Sequence, residues 1–416
     1  MQSSKYKIFS YTFWFLAAMF YLFQYVLRVS PGVITDDLMR DFHITATTIG
    51  SIMGVASAFY VLFQIPAGTI TDAYGVRRPL TFALLLASLG VILFAKAPNL
   101  STVYIARVLI GIGSAFAFIC ASKIISLYFT KERLPFMISL TIFIGSLGGV
   151  IGVGPLADAV YDYGWRTSLL QIGFIGLLLT ALVFIIGRVQ KRLERQTGDV
   201  VARTSLLEGL KYAVTNRDIL VIALWGFCIY MPMCVYADSW GVPYMMKALS
   251  LTKPVAAEKV SWIYIGVLVG SLSYGWLATW YQNYRNIFFF SSLSLAILFY
   301  LALWQSQLVA DYVTPLHFLI GVINSVQLLM FPAAARYAPV KMTGAVVGFV
   351  NTFAMVSGAI FQKCVGVGMD LLWEGSQCND VPDYAIHCYQ VPLTIVVIMM
   401  ALATIMTLFM REQRNQ

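Results

Sequence analysis

Long, nearly uninterrupted apolar runs alternate along this chain with short polar, mostly basic, connections. A helix needs about 20 predominantly apolar residues to cross a bilayer, and twelve runs meet that length, at 9–35, 45–70, 79–97, 101–127, 135–160, 167–187, 217–245, 257–280, 286–304, 312–335, 342–369 and 390–410. The pattern predicts an all-α integral membrane protein. The first run is too long and too aromatic for a cleaved signal peptide, and no small-residue cleavage site follows it, so it is expected to be the first helix. The longest polar connection divides the helices six and six. It gives an N-terminal bundle over 1–187, a basic linker over 188–216 and a C-terminal bundle over 217–416.

Composition narrows the class further. Of 416 residues, 59% are hydrophobic and 11% charged, with a mean hydropathy of +0.78, which leaves little chain for a soluble domain. The formal charge of +9 follows the connections. One set of loops holds Lys5, Lys7, Arg77, Arg78, Lys131, Arg133, Arg188, Arg192, Arg285, Arg336 and Arg411; the other holds only Arg40, Lys96, Arg166, Lys247, Lys253 and Lys259. The positive-inside rule then predicts both termini in the cytoplasm. A basic surface for nucleic acid is excluded by the same distribution. Cys378 and Cys388 fall in the polar stretch before the last helix, on the predicted outer side, where a disulfide between them would persist.

The two halves carry a faint repeat. GTITDAYGVRR (Gly68 to Arg78) follows the second run, and a faded counterpart, GWLATWYQNYR (Gly275 to Arg285), follows the eighth. Duplicated six-helix units predict a carrier that rocks one bundle against the other around a midplane site. The first stretch resembles the loop signature of the major facilitator superfamily, whose positions here are Gly68, Asp72, Gly75, Arg77 and Arg78. The resemblance implies a conformational cluster in which Asp72 holds the basic residues. RVLIGIG (Arg107 to Gly113) resembles the family's arginine motif in the fourth helix, and GWR (Gly164 to Arg166) a structural turn before the sixth. In the fifth helix, GSLGGVIGVGPLADAV, the Gly154-Pro155 pair matches the family's proton-antiporter signature. Asp158 and Ala159 stand where two glycines are usual, which speaks against an exporter.

Charges inside the apolar runs carry the candidate chemistry. Arg28 lies two turns before the first run ends at Ile34, about 9 Å from the boundary. An arginine at such a depth costs at least ~2.5 kcal/mol on insertion scales, so it has to face a partner, a cavity or the interface. Tyr21, Gln24, Tyr25 and Arg28 recur at three- to four-residue spacing and share one helix face, suited to gripping a carboxylate or phosphate. YLFQYVLR resembles the first helix of the family's organic-anion branches, including organophosphate antiporters. Those pair this arginine with another on helix 7, where the present chain has Asp238 and, from Gly226 to Met245, no arginine.

An acid opposite a base suits a zwitterion, or a carboxylate carried with a proton on Asp238. Alternatively, Arg28–Asp158 and Asp238–Lys363 form two mirrored ion pairs that gate the outer side, with Arg107 also in a gating role. Lys123 is a further interior cation, read either as a substrate contact or as a side chain reaching the inner interface. Tyr236, Asn324, Gln327 and Asn351 complete the expected lining from the second half. His43, His317 and His387 are scattered, so no metal site, catalytic constellation or cofactor is expected. The sequence thus predicts a monomeric, multi-pass carrier in a bacterial inner membrane, taking up a small organic anion or carboxylate-bearing zwitterion such as an amino acid or small peptide with protons. A drug or siderophore exporter, and a channel or nutrient receptor, are the competing readings.

Overall fold

The computed structural model describes residues 4–130, 133–194, 206–280, 283–339, 342–378 and 381–411. Among the described residues twelve helices are long and apolar enough to span a membrane: α1 (Ile8–Val33), α2 (Ala46–Tyr74), α3 (Arg77–Ala95), α4 (Leu100–Tyr128), α5 (Phe136–Tyr163), α6 (Trp165–Arg188), α7 (Arg217–Ala248), α8 (Lys253–Tyr274), α9 (Tyr284–Trp304), α10 (Ala310–Ala335), α11 (Thr343–Leu371) and α12 (Ile386–Thr407). Each expected run corresponds to one of them. Among the described residues the other regular elements are short, including a hairpin that pairs Cys378 with Val381. The same packing recurs in both halves: α1 runs along α5 as α7 runs along α11, and α3 along α6 as α9 along α12. On α6, Phe174, Ile175, Leu178 and Ile185 are exposed, as apolar side chains facing lipid tails must be.

The chain separates into two compact units. Unit 1 comprises Met1–Ile34 and Val55–Val201; unit 2 comprises Thr35–Gly54 and Ala202–Gln416. Within unit 1, α1 approaches α5 because α5 offers glycines at the right spacing. A Cβ on Gly145 would lie 2.3 Å from the Tyr21 ring, and one on Gly148 would lie 2.2 Å from the Leu22 carbonyl oxygen. Those glycines belong to the helix that carries the exporter-like Gly-Pro pair, and their local use is helix packing. Pro31, inside α1, has no N–H for the Leu27 carbonyl. Arg107 of α4 fills that gap: its Nη1 donates to Leu27 O at 3.1 Å, and Ser30 Oγ donates to the same oxygen at 3.1 Å. Elsewhere in the unit, Arg166 of the GWR turn donates to the carbonyls of Ala95 and Ala97 and closes the end of α3. Asn99 accepts from Thr102 N at 3.0 Å and caps α4.

Unit 2 contains an element that belongs by sequence to the first half. The Thr35–Gly54 segment holds a short helix, Thr35–Phe42, and the first turns of α2. Asp370, at the end of α11, caps α2: its carboxylate accepts from Thr45 Oγ1 at 2.6 Å, Thr47 N at 3.0 Å and Ala46 N at 3.2 Å. Tyr384 OH also donates to Asp370 and lies 3.0 Å from Ala46 N. Burial raises the Tyr384 phenol and its bond to Asp370 raises it further, so it stays a donor near neutrality. The helices touch through small residues: a Cβ on Gly366 would lie 2.2 Å from Ala46 O, and one on Gly50 would lie 2.4 Å from Gln362 O. Asp37 adds ion pairs to Lys253 of α8 and, within its own turn, to Arg40.

Candidate functional site

In unit 1, the Arg28 guanidinium lies over the Tyr25 ring, 4.1 Å from its centroid. Tyr25 meets Tyr21 edge to face at 5.2 Å, and Tyr21 leans on Phe118 of α4 at 5.3 Å. From α2, Tyr60 hydrogen-bonds Gln64 and stands within electrostatic reach of Arg28 and Tyr25. The cluster therefore combines one guanidinium, three phenols and an amide, drawn from α1 and α2. Gln24, expected on the same face, is 2% exposed and packed inside the unit. Stacking on a phenol occupies the face of a planar guanidinium and not its N–H edge, and that edge is the part that can grip a carboxylate.

Lys123 belongs to a different cluster. Its Nζ bonds Asp72 at 2.7 Å, so the acid of the GTITDAYGVRR motif takes a cation from α4. This gives Lys123 a partner that neither of its two expected readings named, and Asp72 does not gather Arg77 and Arg78 as expected. Arg77 lies over Phe184 at 5.5 Å and Arg78 is exposed. Gly75 turns the chain at φ +73°, the conformation its missing Cβ permits, while nothing lies within 4 Å of a Cβ built on Gly68.

In unit 2, α7 changes pitch. Its middle, Pro232–Trp240, is π-helical and fully buried, and the carbonyls released by the wider turn are held by neighbours. Asn324 Nδ2 donates to Ile229 O at 2.9 Å; Gln362 Nε2 donates to Cys234 O at 3.0 Å and to Ser239 Oγ at 2.9 Å. Gln327 donates to Asn324 Oδ1 at 3.3 Å, and Asn351 is half-buried on α11. On the π segment, Asp238 is 2% exposed and accepts from Tyr264 OH at 2.5 Å. Tyr236 OH pairs with His317 Nε2 at 3.0 Å, and His317 Nδ1 meets Lys259 O at 2.9 Å. Since a carbonyl only accepts, Nδ1 carries the proton and Nε2 accepts from the phenol.

Several expectations change at this level. Neither mirrored ion pair forms: Asp158 and Lys363 are both exposed, and Asp238 turns to Tyr264. Arg107, expected to gate, is 2% exposed and holds the backbone beside Arg28. Tyr236 and Asn324 are taken up by internal bonds. Cys388 is a buried thiol whose Sγ donates to Leu372 O at 3.3 Å; the expected bridge from Cys378 falls on a side chain outside the described residues. Reading the sequence for charges passed over His317, Gln362 and Asp370. Asp370 had one usable signal, an acid at the end of an apolar run.

The Major Facilitator Superfamily model matches residues 13–362. The chain belongs to this superfamily. Its superfamily relatives include the hexose-6-phosphate:phosphate antiporter of Salmonella typhimurium, 24% identical over 376 residues, which cover 84% of this chain and 80% of that one. The 4-hydroxybenzoate transporter PcaK of Pseudomonas putida is 25% identical over 340 residues, covering 74% and 75%. Among solved structures, a bacterial homologue of the human lysosomal transporter Spinster, inward-facing and unoccupied, superposes with a TM-score of 0.79 at 12% identity, covering 98% of this chain and 97% of that one. The superfamily protein is accordingly a multi-pass membrane transporter of a small molecule, and not an enzyme.

The glycines of α5 provide a test of this local architecture. In Gly148→Val the new side chain meets a backbone carbonyl that has no rotamer to escape into. Overpacking of this kind costs about 1–3 kcal/mol. The variant is expected to melt lower and to transport poorly, whereas the control Gly68→Ala, in open space, should melt as the wild type.

Proposed function

We propose that this superfamily member takes up a small organic anion, or a carboxylate-bearing zwitterion such as an amino acid or small peptide, with protons. The observation that carries this reading is Arg28, stacked on Tyr25 and grouped with Tyr21, Tyr60 and Gln64. One guanidinium and several phenols match a carboxylate on an apolar body. Two relatives are named for anions, a sugar phosphate and a hydroxybenzoate, which supports the class. The absence of an arginine between Gly226 and Met245 of α7 favours a carboxylate over a phosphate ester.

Asp238 is the proposed proton carrier. It is a carboxylate buried on the π-helical stretch of α7 and hydrogen-bonded by Tyr264, where gain or loss of a proton would change its bonding. The same reading takes the protein as a monomer of a bacterial inner membrane with cytoplasmic termini. The test is uptake and counterflow in proteoliposomes, with carboxylates, amino acids, phosphate esters and cationic drugs as cargo. Asp238→Asn is expected to lose accumulation driven by a proton gradient while keeping counterflow. Undiminished accumulation by that variant would remove Asp238 from coupling. Preference for a cationic drug would favour the exporter reading instead.

A further inference from the structure

At the end of unit 2 where α7 and α9 begin and α10 and α12 end, a small open cleft is lined by Asp218, Asn283, Tyr284, Arg285, Tyr337 and Arg411, with apolar side chains beneath. Asn283, Tyr284 and Arg285 are the last residues of the faded motif GWLATWYQNYR, which the transport reading leaves without a task. Two acceptors in the cleft are buried without a hydrogen-bond partner, Asp218 Oδ1 and Asn283 Oδ1. Asp218 is 9% exposed; its other oxygen lies 3.5 Å from Arg411 Nη1. Buried acceptors call for a ligand that brings N–H donors.

The charges around them narrow the ligand. A bare metal cation would meet the guanidinium groups of Arg285 and Arg411, and a lone anion would meet Asp218. A phosphate ester bearing a primary ammonium answers both: its ammonium supplies donors to Asp218 and Asn283, and its phosphate accepts from the arginines. Helix ends lined by arginine and tyrosine sit at the headgroup level of a bilayer, where basic pockets between helices take lipid headgroups. We propose that this cleft binds the headgroup of an ethanolamine phospholipid. The leaflet follows from the proposed topology and is the cytoplasmic one.

The test uses the full-length protein in nanodiscs containing phosphatidylethanolamine or phosphatidylcholine, whose trimethylated nitrogen donates no hydrogen bond. Retained lipid is counted by native mass spectrometry after extraction. The wild type is expected to retain the ethanolamine lipid about tenfold over the choline lipid, the discrimination of one charge-assisted hydrogen bond. Asp218→Asn is expected to abolish the preference. Arg285→Gln leaves the Asp218–Arg411 pair in place and should lower retention of both lipids, which guards against loss of fold in the first variant. Equal retention of the two lipids by the wild type, or an unchanged preference in Asp218→Asn, would overturn the proposal. Binding of soluble phosphoethanolamine in detergent as tightly as the lipid would overturn the lipid source.

Discussion

In proteoliposomes, Arg28→Ala is expected to lose uptake of anionic and zwitterionic cargo almost completely while remaining folded. Each hydrogen bond between a guanidinium and a carboxylate is worth about 1.5–3 kcal/mol. A two-pronged contact therefore corresponds to a loss of about a hundredfold or more in affinity. The cation–π contact with Tyr25 contributes about 0.5–2 kcal/mol more to holding the group in plane. Arg28→Lys keeps the charge but neither the fork nor the stacking, so it should recover only a small part of transport. Initial uptake rates and melting temperatures, measured together, decide the matter. Were Arg28→Ala to carry every anion at wild-type rates and merely melt lower, the arginine would be structural and the substrate site would have to lie elsewhere.

The second large effect is expected at Asp370. Its carboxylate receives the start of α2 through Thr45, Ala46 and Thr47 and is shared with Tyr384. Losing an N-cap costs about 0.5–2 kcal/mol, and losing bonds to a charged acceptor costs about 1.5–3 kcal/mol each. Asp370→Ala should consequently lower the melting temperature by several degrees. It should also increase the labelling rate of a cysteine introduced at Thr47. Asp370→Asn, which keeps an acceptor without the charge, should fall between. On the proposed rocking of the two halves, a bond that ties the start of the second span to the eleventh is made and broken in each cycle, so the alanine variant should change the rate of transport as well. Identical melting and labelling in wild type and Asp370→Ala would show that the cap carries no weight.

The positions of the twelve spans and the family motifs could be read from the chain because they depend on local quantities. An apolar run must be helical in lipid, as its backbone groups have no water to bond. Arg28 was conspicuous for the same reason: its cost is a property of its own depth. Its neighbours were legible only in part. Tyr21 and Tyr25 follow from helical spacing, whereas Tyr60 and Gln64 arrive on another helix, and Gln24 turns into the core.

Partnerships depended on the tertiary structure. Spacing offered Asp158 to Arg28 and Lys363 to Asp238, yet Asp158 and Lys363 are both exposed, because which face of a helix meets its neighbour is set by packing. Lys123 found Asp72, Asp238 found Tyr264, and Arg107 found the carbonyl that Pro31 leaves without a donor. The π-helical stretch of α7 had no mark in the sequence beyond Pro232, since a wider turn persists only where Asn324 and Gln362 hold the carbonyls it releases. Hydrophobicity along the chain determined which segments enter the membrane. Which buried polar group answers which was decided by contacts between residues far apart in sequence, where each donor and acceptor taken out of water must find its partner.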